Sequence, residues 1–212
     1  MATQRTITLT QPVSERDHIR GPHGAEVSLV EYGDFECPYC RAAEPIVAGL
    51  IEALGDRLSA IFRHFPLSQV HPHARHAAEV AEAAAAQGKF WEMHDTLFAR
   101  QDALDDSDLL TYAADLSLDS GRIRRELTDH VYARRVAEDQ QDGLDSGVSD
   151  TPTFYIDGIR YDGSVALRDM VAAIRQLHPD LEPGDTPATN PRIPRVRWPR
   201  AQRTVALRRD RS

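Results

Sequence analysis

The sequence predicts a mixed α/β domain interrupted by an all-helical block. Three observations carry this: a strand–helix–strand pattern over residues 27–65, an Ala-rich, Leu-spaced stretch from about His73 to Gln141, and a closing hairpin and helix between Thr153 and Leu177. The first two strands are joined by a connection too long for a hairpin, so they are expected to lie parallel through a right-handed crossover. With 212 residues, of which 41% are apolar, the chain can build one buried core.

The elements follow in order. Residues 1–25 read as an N-terminal extension in which Thr alternates with Ile7 and Leu9, without the continuous apolar stretch of a secretory signal. A cytoplasmic location is the resulting expectation. Residues 26–72 form the first part of the α/β unit. Val27 to Tyr32 is a largely buried strand ending at Gly33. Ala43, Ile46, Val47, Leu50, Ile51 and Leu54 then draw one apolar stripe on a helix from Pro38 to about Gly55, and Leu58 to Phe65 returns to strand chemistry, closed by Pro66. Residues 73–145 form the helical block, read as four helices broken near Gly88, Asp105 to Asp108 and Asp119 to Gly121; Phe90, Trp91, Met93, His94, Leu97 and Phe98 are assigned to its core rather than to a ligand pocket. Residues 146–179 complete the α/β unit: Thr153 to Ile156 is a strand, Asp157-Gly158 a tight turn, and Ile159 to Tyr161 the antiparallel return. Ser164 is the expected cap of a last helix marked by Leu167, Met170, Val171, Ile174 and Leu177.

Residues 180–212 read as a disordered tail. Six of the thirteen prolines fall between Pro179 and Pro199, and the last 22 residues hold eight arginines against Asp210 alone. Taking that +7 from the net charge of −8 leaves −15 on residues 1–190, an acidic body that repels phosphates and argues against nucleic acid as a partner of the globular part. No run of about 18 apolar residues exists to span a bilayer.

The two cysteines form Cys37-Pro38-Tyr39-Cys40, after a strand and at a helix start. Backbone N–H groups and the dipole of a helix N-terminus favour an anion there, so the Cys37 thiol is expected to ionise below its ordinary value. Pro38 suits the first helical turn, where its missing donor costs nothing. Cys40, one turn on, can close a disulfide with Cys37. Cys37 is therefore the expected exposed nucleophile and Cys40 the resolving sulfur. A zinc half-site competes with this reading, but no second cysteine pair exists, and His71, His73 and His76 beside Pro72 are expected to be mostly exposed.

The stretch from Val30 to Cys40 resembles the active-site segment of DsbA-like thiol–disulfide oxidoreductases of the thioredoxin superfamily. Thr151-Pro152-Thr153 resembles that family's cis-proline loop, and Phe65 to Phe98 the opening of its helical insertion. The resemblance covers roughly residues 12–178 and implies a thioredoxin fold with an inserted helical block. It also implies that Thr151 and Pro152 sit beside the cysteines, with the Thr151 carbonyl and N–H open to an extended partner chain. Glu31, six residues before Cys37, holds the place of the family's buried acid. On a buried strand its pKa would rise, and it could relay the Cys40 proton; the alternative is a solvated edge position. Pro45 is expected to kink the active-site helix.

The implied activity is thiol–disulfide exchange with protein or peptide partners, needing no cofactor or metal, with a small thiol or a thioredoxin-type protein as electron donor. A Pro-Tyr dipeptide between the cysteines is typical of glutaredoxins, which places the expected potential near −200 to −230 mV. The alternative is a non-catalytic redox-sensing or binding module whose arginine-rich tail, with Trp198, contacts an anionic partner. Glutathione conjugation is disfavoured because relatives of that kind usually lack the second cysteine. With no visible dimerisation segment, a monomer is expected.

Overall fold

The computed structural model describes residues 6–181. The expected tail, including its arginines and Trp198, lies outside the described residues apart from Asp180 and Leu181.

A five-stranded sheet organises the chain in the order β1–β3–β2–β4–β5. Its strands are β1 (His18–Arg20), β2 (Val27–Gly33), β3 (Leu58–His64), β4 (Thr153–Ile156) and β5 (Ile159–Tyr161). β2 and β3 are parallel, joined through α1 (Pro38–Leu54), while β4 runs antiparallel to β2 and pairs with β5 as a hairpin. Both central strands are covered on two faces, which explains their almost unbroken apolar character. Val27 and Leu29 pack with Leu50 and Leu54 of α1 and with Met170 and Ile174 of α7 (Leu167–Leu177). Val30 and Tyr32, on the opposite face, pack with Ile61, Phe65 and Tyr155.

The helical block contains five helices rather than four: α2 (Ala74–Ala85), α3 (Phe90–Ala99), α4 (Asp106–Asp115), α5 (Ser120–Thr128) and α6 (Ala133–Asp145). The additional break falls after α5, where His130 turns the chain at φ 51° with no glycine or proline to announce it. Ser164 does not cap the last helix; Ala166 precedes its first turn.

The N-terminal extension is part of the sheet. β1 pairs antiparallel with β3, and Thr8 bridges to Ile159 at the far edge. Arg63 of β3 anchors the segment between them. Its buried guanidinium donates to both carboxylate oxygens of Asp17 at 2.8 and 3.0 Å, to the Gln11 and Pro12 carbonyls, and to the Tyr32 hydroxyl. Charge burial is tolerated there because these donors find acceptors.

Candidate active site

β2 ends at Gly33 beneath the N-terminus of α1. A β-carbon at Gly33 would lie 2.3 Å from the Phe62 ring, so only glycine lets the chain pass this close to β3 before turning into the cysteine loop. Asp34 organises that loop. One carboxylate oxygen accepts from the Glu36 N–H at 2.8 Å, and the other accepts from the Leu67 N–H and meets His71 Nδ1, both at 2.8 Å. His71 is consequently folded against the loop and largely covered, contrary to the exposure expected of it. His73 and His76 are more open and face Asp105 and Asp106. The connection after α3 supplies a further clamp: the Gln101 side-chain amide donates to the Phe35 and Cys37 carbonyls at 2.7 and 2.9 Å.

Cys37 occupies the residue before the helix in extended geometry, with Pro38 in the first turn. Both cysteines are free thiols. Cys37 is only 2% exposed, correcting the expected exposed sulfur, while Pro38 and Tyr39 form the open rim, Tyr39 being 38% exposed. The cause is the helical block: Cys37 and Cys40 pack in one cluster with Phe35, Phe62, Met93, Leu97 and Phe98.

The two sulfurs have opposite electrostatics. The Cys37 thiol is lowered from the ordinary 9.0 to about 6, first by the Cys40 thiol donating to it. Burial works against this; the Thr151 hydroxyl and the backbone N–H groups of Cys40 and Tyr39 then add to the lowering. The helix N-terminus therefore contributes, but the neighbouring thiol contributes most. The Cys40 thiol is pushed well above its ordinary value by complete burial, by its hydrogen bond to Cys37 and by the charges of Glu31 and Cys37. The Asp34 N–H approaches Cys40 Sγ at 3.4 Å.

Thr151-Pro152 closes the site from the opposite side. The Thr151–Pro152 peptide is cis, and the Thr151 carbonyl lies 3.3 Å from Cys37 Sγ, accepting from its thiol form. That carbonyl, expected to be open, is thus engaged by Cys37 while the sulfur is protonated. The Thr151 hydroxyl is buried without a hydrogen-bond partner, which leaves it free to donate to the Cys37 thiolate and so lower that thiol's pKa.

Glu31 is buried on β2, 5% exposed, with Oε1 lacking a hydrogen-bond partner. Burial, then the charges of Glu44 and Cys37, raise its pKa well above the ordinary 4.5. Beside it lie His94 of α3, buried in the helical block's core as expected, and Glu44 of α1, which sequence reading missed; both share a small cavity with Glu31. Nothing local marks this meeting, because it joins three elements. Among the described residues, two groups of three side chains could offer ligand atoms to a metal, His18–His64–Glu82 and Glu44–His94–Asp95; neither includes a cysteine.

Known proteins share this fold. A family model described as thioredoxin matches residues 13–176. The oxidised BdbD of Bacillus subtilis superposes with a TM-score of 0.71 at 20% identity, covering 82% of this chain and 98% of that one. A thioredoxin-like oxidoreductase of Silicibacter pomeroyi gives 0.69 at 24% identity, over 77% and 93%. In sequence, the chain is 50% identical over 176 residues to the Na(+)/H(+) antiporter NhaA 3 of Salinispora tropica, covering 82% of this chain but only 26% of that protein. The chain thus spans about a quarter of such a relative's length. No helix among the described residues is long and apolar enough to cross a membrane. With its fold shared by DsbA-type structures and most of its length matched, the chain belongs to the thioredoxin family.

Proposed function

We propose that this chain is a thiol–disulfide oxidoreductase acting on protein or peptide partners through Cys37-Pro38-Tyr39-Cys40. The observation that carries this reading is the asymmetry of the pair: a sulfur with a pKa near 6 beside one held well above 9.0. At neutral pH Cys37 is mainly thiolate while Cys40 keeps its proton.

The Cys37 thiolate attacks one sulfur of a partner disulfide, forms a mixed disulfide and expels the other sulfur as a thiolate, which takes up a proton. Cys40 then loses its proton and attacks Cys37 Sγ. The Cys37–Cys40 bond forms, the bond to the partner breaks, and the partner has gained two electrons. Run backwards, the same steps oxidise a partner dithiol. Once Cys37 is ionised it no longer donates to the Thr151 carbonyl, leaving that acceptor for the backbone of an extended partner beside Pro152. A small thiol or a thioredoxin-type donor re-reduces the pair. A cytoplasmic setting belongs to the proposal; alkylation trapping in cells is expected to find the pair mainly reduced.

Insulin reduction with a thiol donor tests the activity. Wild type is expected to turn over and Cys37→Ser to be inactive; an inactive wild type would overturn the enzyme reading. The antiporter names of the sequence relatives favour a second reading, a redox module that senses or sets thiols on a membrane transporter. Wild type inactive on insulin yet forming a mixed disulfide with a transporter cysteine would support it.

A further inference from the structure

Three segments close in on Cys37, and each carries acid to the surface. The cysteine loop itself brings Glu36, whose Oε2 accepts from the His73 N–H at 2.7 Å. The connection after α3, tied to the Cys37 carbonyl by Gln101, brings the exposed Asp102, Asp105 and Asp106. The loop whose Thr151 carbonyl lies 3.3 Å from Cys37 Sγ brings Asp150, also exposed. Against these five carboxylates stands one permanent cation, Arg41, one turn into α1, and Asp102 already pairs with it at 3.2 Å. Asp105 and Asp106 meet only histidines, His73 and His76. Among the described residues, no lysine or arginine pairs with Glu36 or Asp150. With histidine counted as neutral, the mouth holds a formal excess of four negative charges, and the Cys37 thiolate adds one more.

Charge placed around a reactive sulfur acts on whatever approaches it. Because Cys37 is buried, a partner disulfide has to settle over Pro38 and Tyr39 before sulfur meets sulfur, and the residues flanking it then lie among these carboxylates. We propose that the acidic mouth selects cationic partners, protein or peptide segments with Lys or Arg within a few residues of the reacting cysteine. The inference rests on the oxidoreductase reading and names the class of partner.

A mouth of one sign raises the local concentration of opposite charge and steers its encounter, while like charge is turned away, so the selection has an attractive and a repulsive part. Helix chemistry accounts for only some of the acid. Asp106 lies in the first turn of α4, where a negative charge suits the helix dipole. Asp102 and Asp150 lie on loops and have no such reason.

The test is a single turnover, with the reduced full chain as the source of both electrons. It is mixed with synthetic peptides that share one internal disulfide and differ only in being flanked by Lys, Glu or Ser, and the peptide dithiol formed is counted by mass after acid quenching. Wild type is expected to reduce the Lys peptide about 10-fold faster than the Glu peptide at low ionic strength, and the difference to shrink to about 2-fold at about 0.5 M salt. The combined variant Asp105→Asn, Asp106→Asn, Asp150→Asn is expected to narrow the low-salt ratio to about 3-fold, since charges at the edge of a contact act mainly on association. Glu52→Gln, Asp56→Asn and Asp180→Asn together remove the same charge from exposed positions at the far end of α1 and after α7, where Leu181 packs with Leu54, and are expected to keep the wild-type ratio. If the mouth variant does not fold, Asp150→Lys, a change of two charges at one exposed site, takes its place with a similar narrowing expected. Equal rates for the Lys and Glu peptides in wild type, a preference that high salt leaves intact, or equal narrowing by the mouth and remote variants would overturn the proposal. Failure of wild type to reduce any of the three peptides would instead refute the oxidoreductase reading, so the two failures are distinguishable.

Discussion

Replacing Thr151 with valine removes one hydroxyl from the reactive sulfur and nearly preserves the shape of the side chain. In the folded protein that hydroxyl is buried and helps to hold Cys37 near pKa 6, behind the larger contribution of the Cys40 thiol. A hydrogen bond to a charged group contributes about 1.5–3 kcal/mol, and one pKa unit corresponds to about 1.4 kcal/mol. Because the Cys40 contribution remains, the low end applies, and Thr151→Val is expected to raise Cys37 by about one unit, to near 7. The thiolate fraction at pH 7 then falls from about 90% to about 50%. The assay is the rate of iodoacetamide alkylation of Cys37 against pH, read by peptide mass. A midpoint unmoved by the substitution would refute the assignment of that hydroxyl. Stability carries the same signature. The folded pKa of Cys37 lies below its unfolded value, so ionisation stabilises the reduced protein at high pH and this gain is lost as pH falls from about 9 through about 6. The oxidised protein, having no thiol to titrate, is expected to lack that slope.

Three further substitutions test the surroundings. Glu31 has a raised folded pKa, so ionising it penalises the folded state progressively as pH climbs above 4.5; Glu31→Gln is expected to gain stability over wild type at pH 8 relative to pH 5 in urea unfolding, while slowing resolution by Cys40. Gln101→Leu leaves the Phe35 and Cys37 carbonyls without their donor and is expected to cost about 2 kcal/mol, seen as a lower Tm in thermal unfolding. Arg63→Met abandons the buried Asp17 carboxylate, for which about 3–5 kcal/mol is expected, with faster proteolysis in residues 6–17 as the measurable sign.

What could be read in advance followed from local rules. Apolar residues at three- and four-residue spacing located α1 and α7, a continuous apolar run located β2, and the Asp157-Gly158 turn located the β4–β5 hairpin. The cysteine loop was visible because its residues are neighbours in sequence. β1 was not, since three residues of mixed polarity, His18–Arg20, carry no strand pattern and acquire one only by pairing with β3. The break between α5 and α6 was hidden because a histidine takes the left-handed conformation there. Gln101, Arg63 and Glu44 escaped for one shared reason: each acts on groups remote in sequence, and a lone polar residue does not say what it will face. The expected openness of Cys37 failed in the same way, because the helices that cover it begin some 37 residues later, at Ala74.

Both sulfurs lie in the apolar cluster of the inserted helices rather than in the one beneath the sheet. Making or breaking a bond between them therefore alters volume and contacts inside the insertion's own interior. The insertion is in this sense a reporter of oxidation state: its unfolding and its amide exchange should differ between the dithiol and disulfide forms more than those of the hairpin strands. A partner that grips the outer helices would feel which form it holds without touching sulfur at all.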